Sequence, residues 1–349
     1  MKRNKPFKVA LIGTGGVAHA HVSAFRKAGV EVAAVAGINA PKRDAFARQY
    51  GIPVQVSDYR ELFQMDEIDA IVICLPNFLH AEVAIAAMRA GKHVLTEKPM
   101  AIDSAAAAEM VRVQRETNKT LLISTQGRYG AAAAAAKQYA AEFGEIYYGK
   151  CVYMRRSGIP GWGSWFTRQA QAGGGPCVDI GVHVLDLCLY FMGYPKPVHV
   201  AARTYSKFGV RGQGRGDWGS FEPDGYFDVE DFASALITFE NGSAISLETS
   251  WAYHGPDRWG VEVFGTEGGL TLSPDSLTVY TNKFDRPVTI HPTLPKDDDR
   301  LNMVNDFIEC CTTGKPPLTS AEHGLVLTKI CDAIYESSAQ AGKQVPVDL

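Results

Sequence analysis

The first 125 or so residues alternate short, fully apolar runs with longer amphipathic ones. The apolar runs are FKVALIG (7–13), EVAAVAGI (31–38), DAIVICLP (69–76), HVLTEKP (93–99) and TLLISTQ (120–126). Between them lie helical periodicities such as AEVAIAAMRAG (81–91), where Gly91 serves as a C-terminal stop. Strands that are apolar on both faces and alternate with helices predict a parallel sheet covered on both sides. Right-handed crossovers then make this an α/β, doubly wound domain.

After residue 126 the period changes. GRYGAAAAAAKQYAAEFG (127–144) reads as an alanine-rich helix stopped by Gly144, and IYYGKCVYMRR (146–156) as a strand. Further strand patterns cover 198–208, 233–253, 259–273 and 276–282, and Asn241-Gly242 is a strong hairpin signal. Strands joined by hairpins predict an antiparallel sheet, so this half is α+β. The Gly- and Asp-rich stretch 209–230 is expected to be a loop over a site or interface, and 321–340 an amphipathic helix. The expected division is therefore 1–126 and 127–349, with the tail helix able to pack back on the first domain.

Length agrees with two domains, since 349 residues exceed one ordinary core. With 46% hydrophobic and 21% charged residues and a net charge of -3, nothing points to nucleic acid or an acidic membrane surface. No apolar stretch approaches the roughly 18 residues a membrane span needs, so no membrane association is expected. The basic start MKRNKPFKVALIG leads into a strand pattern, not a signal peptide. Seven cysteines without a CxxC pair, two of them adjacent at Cys310 and Cys311, suggest buried thiols and a reducing, cytoplasmic setting.

Two stretches carry chemistry. Gly13-Thr14-Gly15-Gly16-Val17-Ala18 follows the first strand and opens the first helix, matching G-x-G-x-x-G/A in its required context. Gly13 permits the turn, Gly15 admits a pyrophosphate, and Ala18 lets helix and strand approach. The helix N-terminus, through Gly16 and Val17, then favours the phosphates. The acidic residue expected at the end of the second strand is missing: Gly37-Ile38-Asn39 stands there, followed by Lys42 and Arg43. Without a carboxylate to repel a 2′-phosphate, and with Asn39 and Arg43 able to contact one, NAD and NADP both remain open, with a slight lean to NADP.

The second stretch is GGGPCVDIGVHVLD (173–186), where Asp179, His183 and Asp186 fall on one face of an otherwise apolar helix. A lone histidine there would ordinarily be a satisfied core residue. Asp179 one turn earlier makes His183 a candidate base, because a carboxylate can orient an imidazole and stabilise its charged form. Asp186 reads equally well as a helix-internal hydrogen bonder. A metal held by Asp179, His183 and Asp186 is disfavoured by a lysine expected nearby, and none is expected.

Three further motifs make the chain recognisable: Pro76-Asn77-Phe78-Leu79-His80, Glu97-Lys98-Pro99, and GG-x-x-x-D-x-G-x-H-x-x-D from Gly174. In this order they resemble the glucose–fructose oxidoreductase/inositol dehydrogenase (Gfo/Idh/MocA) family over nearly the whole chain. The resemblance implies a Rossmann domain followed by an α+β domain with a large open, mainly antiparallel sheet. It implies an NAD(P)-dependent dehydrogenase of a sugar or glycoside, and the broad face that an open sheet exposes predicts a homo-oligomer. Leu75, Pro76, Asn77, His80, Glu97 and Lys98 would line the cofactor. Lys98, Asp179 and His183 would be catalytic, and these three would also touch substrate. Arg155-Arg156-x-Gly-x-Pro-Gly-Trp-Gly and FEPDGYFDVEDF add a resemblance to the subgroup that oxidises glucosides at C3.

Sugars present hydroxyls and an apolar face, so aromatic and cationic side chains suit the wall of such a site. Arg128, Tyr129 and Arg156 rank first, then Trp162, Trp165, Arg155, Tyr253 and His254; His19 and His21 are read as cofactor-side packing. Substrate is expected between the domains, with His183 removing a hydroxyl proton and Lys98 stabilising the developing charge. The alternatives are a glycoside hydrolase working by transient C3 oxidation, an inositol dehydrogenase, and a non-catalytic nucleotide sensor.

Overall fold

The computed structural model describes residues 6–348. The chain forms two compact units. The first comprises Met1–Ala101, Ala105–Tyr129 and Asp298–Gly324; the second comprises Ile102–Ser104, Gly130–Asp297 and Leu325–Leu349.

In the first unit six strands form one parallel sheet. They are β1 (Lys8–Ile12), β2 (Glu31–Ala36), β3 (Val54–Val56), β4 (Ala70–Ile73), β5 (His93–Glu97) and β6 (Leu121–Ser124), in the order β3-β2-β1-β4-β5-β6. The order reverses between β1 and β4, which is the switch point where ligands bind in doubly wound sheets. Every residue of β4 and β6 is buried, as expected of strands covered on both faces. The core joins Val9, Leu11, Val22, Phe25 and Val72 to Met303, Val304 and Phe307. The last three lie on a helix, Asp299–Thr313, capped by the Asp298 side chain and ended by Gly314 in the left-handed region.

In the second unit nine strands form a mixed sheet. They are β7 (Ile146–Met154), β8 (Pro197–Tyr205), β9 (Phe232–Phe239), β10 (Ala244–Ser250), β11 (Arg258–Gly265), β12 (Gly268–Leu272), β13 (Leu277–Lys283), β14 (Arg286–Ile290) and β15 (Val345–Pro346). Their order is β14-β13-β12-β11-β7-β10-β9-β8-β15, and of the adjacent pairs only β7–β10 is parallel. The hairpin between β9 and β10 turns at Asn241-Gly242, with Gly242 at φ 84° and the Asn241 carboxamide accepting from the Ser243 backbone and hydroxyl. One face of the sheet is covered by the helices Ala131–Ala140 and Val182–Phe191 and by the later turns of Ala321–Ala339.

Two expectations are corrected. A single break after residue 126 omits the helix Asp299–Thr313, whose apolar face belongs to the core of the first unit, and the division falls inside the tail helix at Gly324. That glycine sits where a Cβ would come 2.8 Å from the Met100 sulfur and 3.0 Å from Ile123, so the first turn of the tail helix is tightly seated. The second correction concerns apolar length. Gln169–Phe191 is a 23-residue helical run long and apolar enough to cross a membrane by composition, yet 83% of its apolar window is buried within the protein. It is apolar because it is a core element.

Candidate active site

The glycine loop sits at the carboxyl end of β1, beside the switch point. Gly13 has φ 102°, and a Cβ there would lie 2.2 Å from the carbonyl oxygen of Cys74, just past β4. Cys74 in turn donates its N–H to Ile12 at 2.8 Å, so the two chains cannot part without breaking the sheet. Gly15 and Gly16 are exposed, and a Cβ on Gly15 would meet nothing within 4 Å. Ala18 is fully buried beneath the loop, and the helix Gly16–Lys27 begins without a side-chain cap. An uncapped helix start faced by an open, glycine-lined cradle fits the pyrophosphate of a dinucleotide.

At the end of β2, Gly37 leaves room: a Cβ would make only ordinary contacts, 3.5 Å to Thr14 and 3.6 Å to Arg43. The Arg43 guanidinium donates to the Gly37 carbonyl at 3.0 Å and pairs with Asp44 at 3.1 Å. Asn39 uses its side chain to cap the following helix, accepting from the Lys42 N–H at 3.0 Å. The side chain thus satisfies one free N–H of the helix start.

The parallel register puts the carboxyl ends of β4 and β5 on the same edge of the sheet as the glycine loop. Leu75 and Pro76 are half-buried there, whereas Asn77 is buried and His80 has no exposure at all. His80 acts as a brace: Nδ1 lies 2.8 Å from the Pro99 carbonyl and Nε2 2.9 Å from the Leu75 carbonyl. Burial lowers its pKa against the pull of those carbonyls. It ties the loop after β4 to the Lys98-Pro99 turn, whose peptide bond is cis.

Glu97 is likewise turned inward. Its Oε1 is 2.6 Å from His21 Nε2 and 3.5 Å from the Arg300 guanidinium, and Arg300 also approaches His21 at 3.3 Å. Burial pushes the Glu97 carboxyl up, but the His21 hydrogen bond and the charges of His21, Arg300 and Lys98 outweigh it and hold the pKa at about 2. Lys98 follows directly, half-buried at the strand end. Arg300 was not anticipated from the sequence, although Asp298 before and Gly314 after its helix are ordinary capping signals. His19 lies on the loop's own helix, its Nδ1 2.8 Å from the Tyr50 hydroxyl.

The second stretch lies in the other unit. It begins with a wide π-type turn, Cys177–Gly181, which runs into the helix Val182–Phe191. Such turns re-aim side chains and are common at functional sites. From residue 172 to 189 every residue is buried except Asp179 and His183, which keep partial exposure. The fully buried Trp251 donates its indole N–H to Asp179 Oδ2 at 2.9 Å, fixing that carboxylate. Asp186 is 1% exposed and accepts from the Tyr194 hydroxyl at 2.7 Å, so it is a core hydrogen bonder.

The expected sugar-wall residues separate. Arg128 is corrected: it is 1% exposed, and its guanidinium donates to the Leu318 carbonyl at 2.9 Å. Tyr129 is also turned inward, donating to Asp306 at 2.8 Å. Both hold the chain that returns at 298–324, through contacts 190 and 177 residues away that local pattern does not reveal. Trp162 donates its indole N–H to Gly209 at 2.8 Å and packs on a small apolar cluster with Trp251, while Trp165 stacks on Phe166 with ring centres 3.7 Å apart. Arg156 remains exposed and lines a depression of about 620 Å³ with Phe208, Arg211, His254 and Asp257. Arg155 folds back onto Tyr153, and Tyr253 donates to Pro256. The stretch 209–230 lies on this region: Gly214 accepts from Gly158 and Ile159, and Trp218 from Gly161.

Residues 7–125 match the oxidoreductase family with an NAD-binding Rossmann fold, and residues 133–271 match the Gfo/Idh/MocA C-terminal domain. The chain belongs to the Gfo/Idh/MocA family. Among its relatives is the D-glucoside 3-dehydrogenase of Escherichia coli K12, 32% identical over 98% of each chain. The levoglucosan dehydrogenase of Pseudarthrobacter phenanthrenivorans is 29% identical over 84% of each. A solved levoglucosan dehydrogenase, in complex with NADH and levoglucosan, superposes with a TM-score of 0.87 at 26% identity, over 99% of this chain and all of the other. The two-part architecture of the family and its NAD-binding first domain are thus those of this chain, and the chain is an oxidoreductase.

Proposed function

We propose that this Gfo/Idh/MocA protein oxidises a secondary hydroxyl of a sugar or glycoside, at C3 of a glucoside, giving the 3-keto product. The observation that carries the reading is the pair Asp179 and His183, the two residues left partly exposed along an otherwise buried run of the second unit. The nicotinamide supplies the hydride acceptor. The chain's own residues do the rest. A ring nitrogen of His183 takes the hydroxyl proton. Asp179, held by Trp251, steadies the imidazole and its positive charge. The Lys98 ammonium stabilises the alkoxide-like charge that develops on the substrate oxygen. Arg156 and His254, which line a depression on the second unit, are assigned to bind sugar hydroxyls. The likeness to a D-glucoside 3-dehydrogenase along the full chain supports C3.

A panel of glucosides, free sugars and cyclitols with NAD and NADP tests the assignment by absorbance, followed by identification of the ketone. Reduced cofactor should accumulate with a glucoside and the product should carry a 3-keto group. Release of aglycone without reduced cofactor would make the protein a hydrolase by transient oxidation instead.

The reading extends to the cofactor, with NADP accepted because Gly37 offers no carboxylate. Gly37→Asp fits without strain, since the added Cβ makes only ordinary contacts. Its carboxylate is expected to lower kcat/KM for NADP by about tenfold or more relative to NAD, through repulsion of the 2′-phosphate. An unchanged ratio in steady-state kinetics would remove Gly37 from the account of specificity.

A further inference from the structure

The start of the segment bearing Asp179 and His183 is held by a residue far away in sequence. Glu230 is 5% exposed. Its Oε2 accepts the Gly175 N–H at 2.8 Å and its Oε1 the Cys177 N–H at 3.0 Å. The same Oε1 accepts the Tyr335 hydroxyl at 3.0 Å. The π-type turn has no side-chain cap of its own at Pro176. Glu230 therefore does from a distance what a capping residue does locally, and a carboxylate suits a helix start. The glycines leave no slack around it: a Cβ on Gly175 would lie 2.0 Å from the Glu230 carbonyl, and one on Gly174 1.8 Å from the Tyr335 hydroxyl. Downstream, Asp179 donates its N–H to the Gly175 carbonyl at 3.1 Å, so the capped residue is also the anchor of Asp179.

We propose that Glu230 is a positioning residue for the reaction: as a carboxylate it fixes the turn that sets Asp179 and His183, and on protonation it releases that turn. The proposal rests on the catalytic reading of His183. The chemistry of the cap supplies the reason. Two oxygens facing the N–H groups of Gly175 and Cys177 and the Tyr335 hydroxyl are best matched as a carboxylate; protonation makes one of them a hydroxyl, a weaker acceptor with a proton of its own to place among donors. Burial pushes the Glu230 carboxyl up to about 7, against the pull of the Cys177 and Gly175 N–H groups. The titratable groups packed against it are Tyr335 on the tail helix and Cys177 on the turn, with Cys331 behind Cys177. Tyr335 is held well above its usual range by burial, and Cys177 by its contact with Cys331 and by burial. Near neutral pH the charge in this cluster thus changes at Glu230.

The test reads kinetics and, separately, the turn itself. In the full-length protein the indole N–H resonance of Trp251, assigned by Trp251→Phe, reports the placement of Asp179. In His183→Ala, where imidazole titration is gone, this resonance should still shift with a midpoint near pH 7, and in Glu230→Gln the shift should vanish. Glu230→Gln mimics the mismatched cap, so kcat should fall on the order of tenfold. Dinucleotide affinity should stay unchanged. Tyr335→Phe removes one donor to the carboxylate and should move the Trp251 midpoint upward; it serves if Glu230→Gln does not fold. Wild-type kcat in Glu230→Gln, or a Trp251 midpoint unmoved by either substitution, overturns the proposal. Full activity in His183→Ala would instead overturn the catalytic reading, and the Trp251 titration would still decide whether Glu230 controls the turn.

Discussion

Replacing His183 by Ala is expected to lower kcat for the glycoside by about 10²- to 10⁴-fold, the usual worth of a positioned general base. Lys98→Ala should cost about 10²- to 10³-fold, the scale of one lost group that stabilises a developing oxyanion. The two substitutions test the reading independently, because Lys98 lies in the first compact unit and His183 in the second. Dinucleotide affinity, measured by fluorescence titration, is the internal control: the glycine loop shares no unit with His183, so binding should survive His183→Ala. The apo melting temperature should also hold, since His183 is partly exposed and its truncation leaves no sealed cavity. Near-normal turnover in either variant, with cofactor bound, would take that residue out of the mechanism. Asp179→Asn should show a smaller fall in kcat than His183→Ala, because the amide keeps an oxygen for the Trp251 indole but loses the charge that supports imidazolium.

The units differ in how much of this their sequence discloses. Alternating apolar runs and helices are local features, so five of the six Rossmann strands can be read directly. β3 is three residues long, with one of them exposed, and offers too little apolar length to register. In the second unit Asn241-Gly242 fixes one hairpin, but β14 has no buried residue and β15 is a two-residue strand, so neither bears a pattern. Function follows the same rule. The glycine loop and the Asp179–His183 pair are short-range motifs, visible from spacing alone. The sequence reading failed where a side chain meets a distant partner. Arg128 and Tyr129 look like binding residues after a strand, yet their partners at Leu318 and Asp306 turn them inward. His80 looks like a cofactor contact, yet two carbonyls enclose it. Glu230 sits in a segment with no periodicity, and its duty is visible only because Gly175, 55 residues earlier, donates to it. Arg300 belongs to the same class, reaching Glu97 across two hundred residues of chain. Pattern gives the faces of elements; it does not give the partners those faces meet.

Gly13→Ala is the substitution with the largest expected effect on the first unit. Two costs add at this position. The backbone at φ 102° is a region that L side chains rarely adopt, a strain worth about 1–3 kcal/mol. The new methyl would also sit 2.2 Å from the Cys74 carbonyl oxygen, and forced overpacking costs about 1–3 kcal/mol more. Neither can be relieved cheaply, because Gly13 donates to Ala36 at 2.9 Å and Cys74 to Ile12 at 2.8 Å, pinning the loop to both neighbouring strands. The expected result is a clearly lowered melting temperature for the apo protein and a dinucleotide affinity weakened by on the order of 10²-fold or more. Gly15→Ala separates the two effects. Its Cβ meets nothing within 4 Å, so the apo protein should melt like the wild type, while the methyl projects into the cradle and weakens dinucleotide binding alone. The pair is measured by thermal denaturation without cofactor and by fluorescence titration with it. If Gly13→Ala melts normally, the tight approach of β1 to β4 is not what requires glycine there. If Gly15→Ala binds normally, the open cradle is not where the pyrophosphate rests.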